Sequence, residues 1–387
     1  MARLPVSRLN IALYSVIVLI GTVWAYTRGG QDYAVFYTAG QHVLAGQSEK
    51  LYFVSPDRYL YAPGGAWLFA LLSLIPFKVA LGLWTAFKIF LGGWALLQWK
   101  QVFAKVPQVE AATAIALIVT ARFFLIDFQY GQINLVLFAL GSMALLKCHK
   151  KEEAPWIWFW FAVVATIKPI AMPLLVLPLF RKKIQEIGAV VAGGLTVVLI
   201  PLIQLSFSKW WTLQEQWLEA IRNKGLPLYT HNQSFSAFLH RWLGESPSRP
   251  VFLPDSLDFS LKWLSSSTIQ FLSWTWFAGV VGVLVWGLWR ATKQADPAPK
   301  ARLMALIPLP YYLIWKSYFI FGFPVVLVAA LKVLERKTSR YRKVVFVLAG
   351  IALAISGFDL FGVRMGTAFE SLSILMWAML AMLRLSY

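Results

Sequence analysis

Apolar stretches recur from one end of this 387-residue chain to the other, separated by short polar segments. A stretch of about 20 apolar residues crosses a bilayer as a helix. Residues 10–27 form the first such stretch. The same pattern predicts spans at 77–99, 107–126, 132–148, 155–167, 169–180, 184–207, 264–289, 303–315, 318–334, 344–362 and 367–384. Several are short, as spans that end inside a protein cavity can be. Between the first two, residues 28–62 read as an external loop rich in Tyr, Gly and Pro, with a short helix over 33–45. Residues 63–75 are apolar but too few to cross comfortably.

Charge decides how 63–75 is read. If it crossed, Lys100 and Lys105, and then Lys147–Lys151, would fall outside. Basic residues favour the cytoplasmic side, so 63–75 is expected to lie at the outer interface. Arg3 and Arg8, Arg181–Lys183, Arg290–Arg302 and Lys332–Lys343 then also fall inside, and both termini are cytoplasmic. Residues 208–262 become a second external segment, where Trp210, Trp211 and Trp217 suggest an interfacial helix. Residues 290–302, with Pro297 and Pro299, become a cytoplasmic linker. The N-terminus resembles a signal peptide, but its apolar stretch is long and no small-residue cleavage site follows, so it reads as a retained first span. The expectation is one all-α, polytopic membrane domain over 1–387, with about 11–12 spans.

Composition supports that class. Hydrophobic residues make up 59% of the chain and charged residues only 14%, against roughly 25% in soluble domains. Nineteen Trp and fourteen Tyr suit a protein with many membrane–water boundaries. The net charge of +19 would suggest nucleic acid as a partner if it formed a patch. It lies instead in short loops between apolar stretches, so no nucleic-acid partner is expected and membrane lipids are. One cysteine, Cys148, excludes an intramolecular disulfide. No internal repeat is visible, which argues against a transporter built from inverted halves.

The unusual polar residues sit near the outer ends of the predicted spans. Asp32 follows the first. Asp127, Gln129, Gln132 and Asn134 crowd the turn FLIDFQYGQIN. Lys168 and Lys316 each separate two short apolar halves. His231, Asn232, Gln233 and Ser234 open a motif in the second external segment, with His240 and Arg241 just beyond. Ionisable groups at membrane depth are costly and often line a cavity. Each also has a plainer role open to it. Asp32 fits a base, a helix cap or a solvated loop acid. Lys168 fits a ligand contact or a side chain snorkelling to headgroups. His231–Ser234 fits a site or a capped turn. Lys88, in mid-span, reads as snorkelling or as paired with a carboxylate such as Glu110. The external carboxylates Asp32, Glu49 and Asp57 and the scattered histidines do not have metal-ligand spacing, so no metal and no cofactor is expected.

The order of these segments carries a resemblance. Asp32 in GQDYAVFYTAGQHVLAGQSEKLY is followed by YAPGGAWLFALLSLIP, a span holding Trp84, GQIN, IKPIAMPLLVLPLF and HNQSFSAFLHRWLG. Together they resemble glycosyltransferase family 87, polyprenyl-phosphate-mannose-dependent mannosyltransferases and relatives with the GT-C fold, over most of residues 1–335. The resemblance implies a GT-C-type helical bundle with two short helices in the first outer loop. It implies Asp32 as catalytic base and Lys168, with Lys316, beside the lipid phosphate. It implies Gln132 and Asn134, and Asn232, Gln233 and Ser234, around the sugar and acceptor, and His231 and Arg241 beside that motif are expected to join them. Members often carry His after the Trp of the late outer turn. Here Trp315 is followed by Lys316, which favours phosphate contact over proton transfer.

The function expected is inverting transfer of a hexose, mannose by the resemblance, from a polyprenyl-phosphate sugar to a hydroxyl of a glycan or glycolipid acceptor. The site would face the periplasmic side of the inner (plasma) membrane. The alternatives are a lipid-linked-sugar flippase or transporter, which would place ionisable groups at mid-membrane depth, and an oligosaccharide polymerase or ligase, for which Arg241, His231 and His240 would matter.

Overall fold

The computed structural model describes residues 7–52, 59–250, 255–335, 337–356 and 358–387. Arg3 and Asp57, named above, lie outside the described residues. Among the described residues every regular element is helical, and extended backbone pairs only at two isolated bridges, Tyr229 with Arg249 and Ser248 with Leu257.

Among the described residues six helices are long and apolar enough to cross a membrane: Arg8–Arg28, Phe77–Val102, Val109–Tyr130, Ile184–Ile203, Ser266–Lys293 and Lys316–Leu334. A seventh candidate is the pair Phe361–Ser371 and Ile374–Leu385, bent by 58°. The expected 11–12 spans had counted shorter elements, among them Asn134–His149, Pro155–Ile167 and Pro169–Arg181. A helix of 13 residues is about 20 Å long, short of a hydrocarbon core of about 30 Å. The span expected at 303–315 is a helix only over Ala298–Leu306. Pro308 and Pro310 follow, and neither can donate the hydrogen bond that would continue it.

The chain forms two compact units, each assembled from separate stretches. One comprises Val16–Leu97 and Leu125–Gly225, the other Met1–Ser15, Gln98–Phe124 and Leu226–Tyr387. For the helices that carry the argument we write α1 for Arg8–Arg28, α2 for Gln31–Leu44, α3 for Pro63–Ser73, α4 for Phe77–Val102, α5 for Val109–Tyr130, α6 for Asn134–His149 and α7 for Pro155–Ile167.

In the first unit, α2 and α3 are the two short helices expected in the first outer loop. α3 opens on Pro63, whose missing N–H is one of the helix's unpartnered donors anyway. Most of α3 is buried against α2 and the helix Ile184–Leu199. Gly64 allows that closeness, because a Cβ there would stand 1.8 Å from the Val197 carbonyl oxygen. Phe36 of α2 stacks on Phe69 of α3 with ring centroids 4.4 Å apart. Ser73 Oγ donates to the Tyr37 carbonyl at 2.8 Å, and the Tyr37 hydroxyl donates to the Ile75 carbonyl at 2.8 Å. The segment between α1 and α4 is therefore a packed layer. The helix Phe207–Arg222 is capped by Ser206 and exposes Phe207 and Trp211. Trp217 Nε1 ties it to the Leu60 carbonyl at 3.3 Å.

In the second unit, the helices Ala298–Leu306 and Phe323–Leu334 are buried almost throughout. Arg340–Ile355 packs on Ile374–Leu385. Lys100 pairs with Glu110, and Asn10 Nδ2 donates to Glu110 at 2.7 Å, which anchors the start of α1.

Candidate active site

Asp32 is the second residue of α2. Gly30, the residue before that helix, has φ +52°, a left-handed conformation that turns the chain sharply out of α1. Tyr33 is fully buried and faces Trp84 of α4, with stacked rings 6.2 Å apart. Burial of Tyr33 leaves its neighbour Asp32 half-buried at the start of the helix.

The turn between α5 and α6 comes up beside it. Gly131 has φ +64°, and a Cβ there would stand 2.6 Å from Cβ of Tyr33. Only glycine permits that conformation and that approach together. The approach brings Gln132 to the carboxylate of Asp32, which accepts a hydrogen bond from the Gln132 side chain. Asn134 Nδ2 in turn donates to Gln132 Oε1. The amide of Gln132 thus has its oxygen engaged from behind and its NH2 group facing Asp32.

Lys168 stands between α7 and the turn of 3-10 helix Pro169–Val176. It is buried, with its ammonium 5.7 Å from the centre of the Tyr61 ring and in electrostatic contact with Asp32 and Asp127. Burial raises the Asp32 carboxyl above the ordinary carboxylate range, opposed by Lys168 and by the hydrogen bond from Gln132. Burial pushes Lys168 down to about 8, against the pull of Asp32 and Asp127. Lys224, just after the helix Phe207–Arg222, is a further cation within electrostatic reach of Asp32. Nothing in its sequence neighbourhood, KGLPLY, singles it out.

Lys88 is not paired with Glu110. It is fully buried and binds Asp127 of α5, with Nζ 2.8 Å from Oδ1. Glu110 is taken by Lys100 and Asn10 instead.

The remaining residues named from the sequence gather in the other unit, around a carboxylate the sequence reading missed. Glu370 is fully buried. Lys316 Nζ binds its Oε1, and His231 Nε2 lies 3.2 Å from its Oε2. Asn232, Gln233 and Ser234 are spent largely on main chain. Asn232 Nδ2 donates to the Pro227 and Tyr312 carbonyls at 3.0 and 3.1 Å, and its Oδ1 accepts from the Ser234 and Ile314 amides. Gln233 Nε2 donates to the carbonyls of Thr230 and Glu370 at 2.7 and 2.9 Å. Ser234 caps the helix Phe235–Trp242 by accepting from the Ala237 amide. Arg241 is fully buried and donates to the Tyr229 and Ser371 carbonyls and to Ser373 Oγ. The motif builds a turn and locks it to the helices near the C-terminus. Among the described residues, no three His, Cys, Asp or Glu side chains converge as a cation cage requires.

The site therefore sets a buried cation beside a half-buried carboxylate at the ends of apolar helices. Residues 59–309 match the model of glycosyltransferase family 87. The chain belongs to that family. This glycosyltransferase carries Gln132, Asn134, Lys168, His231–Ser234 and Arg241 inside the matched stretch, and Asp32 and Lys316 outside it. No curated protein and no solved structure matches the glycosyltransferase.

Proposed function

We propose that this membrane glycosyltransferase moves a hexose, mannose by family resemblance, from a polyprenyl-phosphate donor to a hydroxyl of a glycan or glycolipid acceptor. The reading places the site at the periplasmic face of the inner (plasma) membrane, with both termini cytoplasmic. The observation that carries it is the triangle of Asp32, Gln132 and Lys168: a carboxylate held by an amide, with a buried ammonium beside it.

The step balances as a single displacement. The acceptor oxygen attacks the anomeric carbon, and the bond from that carbon to the phosphate oxygen breaks. The acceptor proton passes to Asp32, and the polyprenyl phosphate leaves as a dianion with one more negative charge than the donor carried. Attack from the face opposite the phosphate inverts the anomeric centre. A positioned general base contributes about 10²–10⁴-fold. Lys168 contributes at the same moment. Once Asp32 is protonated, its ammonium loses an anionic neighbour just as the phosphate gains charge, so it is poised to stabilise the leaving group. Lys316, expected from the sequence as a second phosphate contact, is bound by Glu370. Gln132 and Asn134 orient the base. Asn232, Gln233, Ser234 and Arg241 act by shaping the turn that presents His231.

The test is purified protein in lipid nanodiscs with radiolabelled polyprenyl-phosphate hexoses and extracted membrane glycolipids. Labelled product from the wild type, and a rate about 10²–10⁴-fold lower from Asp32→Asn, is the expected result. Turnover near the wild-type rate in Asp32→Asn would remove Asp32 from the mechanism.

A further inference from the structure

Lys88 and Asp127 take no part in the displacement, yet they form an ion pair in which neither side chain is exposed. Removing two charges from water costs several kcal/mol per ion before their attraction is counted, and an apolar pair of similar volume often does as well or better. Ionisable residues inside membrane helices usually serve function. The bonds of this pair run to one place.

Lys88 Nζ donates to Asp127 Oδ1 and to the Asp127 carbonyl, both at 2.8 Å. That carbonyl also accepts from the backbone amide of Gln132 at 3.0 Å. Asp127 Oδ2 accepts from the amide of Leu135 at 3.3 Å, in the first turn of α6. Asp127 thus holds the α5–α6 turn from both sides. Four residues before Lys88, on the same face of α4, Trp84 Nε1 donates to the Gly131 carbonyl at 2.9 Å. The anchors at Gly131, Gln132 and Leu135 bracket the side chain that supports Asp32.

We propose that Lys88 and Asp127 are a positioning pair: together with Trp84 they clamp the Gly131–Gln132 turn and aim the Gln132 amide at Asp32. The inference rests on Asp32 as the base. A loosened turn leaves the donor-binding groups in place but lets the base wander, so the effect falls on kcat. Displacement of a catalytic geometry by about 1 Å costs on the order of 10²-fold.

A double-mutant cycle in the full-length protein tests it. The variants are Lys88→Met/Asp127→Leu, Gln132→Ala and their combination, with Asp32→Asn as control. The neutral pair is expected to lower kcat about 10- to 100-fold; Trp84→Phe, which leaves the Asp127 charge near Lys168 in place, is expected to keep KM for the donor within about twofold. The combined variant is expected to be no slower than Gln132→Ala alone, because the pair acts through that residue. Wild-type kcat in the neutral pair, or losses that multiply in the combined variant, would overturn the inference. Trp84→Phe, which removes one hydrogen bond and little volume, runs through the same cycle with the same expectation should the pair variant fail to fold. Multiplied losses with a slowed Asp32→Asn sink the positioning pair alone, whereas Asp32→Asn near the wild-type rate sinks the base.

Discussion

Asn134 donates its side-chain N–H to the oxygen of Gln132, and so decides which end of that amide meets Asp32. With its oxygen occupied, Gln132 presents hydrogen to the carboxylate. Released, the amide could rotate and turn a repelling oxygen toward it. Asn134→Leu is therefore expected to slow kcat about 2- to 12-fold, in line with the loss of one hydrogen bond of about 0.5–1.5 kcal/mol, while donor KM stays near wild type. Equal kcat in Asn134→Leu and wild type would show that Gln132 keeps its orientation unaided.

Asp32 is held in an environment that does not favour its charge. A carboxyl whose folded pKa is raised by burial weakens folding as pH rises from its unfolded value through its folded one, because the folded state must then give up a proton it holds more tightly. Asp32→Asn removes that penalty. The variant is expected to melt at or above the wild-type temperature at pH 7 while losing 10²–10⁴-fold in transfer. A large fall in melting temperature would instead mark Asp32 as a structural residue.

Much of this arrangement could be read from the residues. The ends of α3, α4 and α7 follow from Pro63, Pro76 and Pro155 and from the apolar runs after them. The placement of Asp32, Gln132 and Lys168 at helix ends follows from the breaks between those runs. What pattern could not supply was pairing across the sequence. Lys88 and Asp127 stand 39 residues apart, and either could have met other charges. Glu370 was hidden because it lies in an apolar stretch near the C-terminus that reads as a span, and only contact with Lys316 and His231 gives it meaning. Likewise HNQS reads equally as a site or as a turn. Hydrogen bonds from Asn232 and Gln233 to main-chain carbonyls distinguish the two.

The two charges around the triangle predict a bell-shaped pH profile. On the acid side, rate falls as Asp32 takes up a proton, at a pH above the ordinary carboxylate range because burial raises its pKa. On the alkaline side, burial has brought Lys168 down to about 8, so rate is expected to fall above about pH 8 as the ammonium is lost. Lys168→Arg keeps its charge to far higher pH. The variant is expected to be slower at the optimum but to lose the alkaline limb. An alkaline limb that stays at the same pH in Lys168→Arg would assign it to another group.

Glu370 is the last test, because it separates holding the fold from handling the phosphate. Its carboxylate binds Lys316 and lies against His231, and its backbone carbonyl accepts from Gln233. Glu370→Gln leaves the Lys316 ammonium without its carboxylate partner in a mostly buried place. Breaking one side of such a pair costs on the order of 3 kcal/mol, which thermal unfolding in detergent would register as a lower melting temperature. Replacing both partners, as Lys316→Met/Glu370→Leu, is expected to recover most of that stability, since two apolar side chains carry no desolvation penalty. If Lys316 also contacts the leaving phosphate, the recovered double variant folds well and still transfers sugar slowly. If it folds and transfers at the wild-type rate, Lys316 serves the fold alone, and Lys168 carries the phosphate without it.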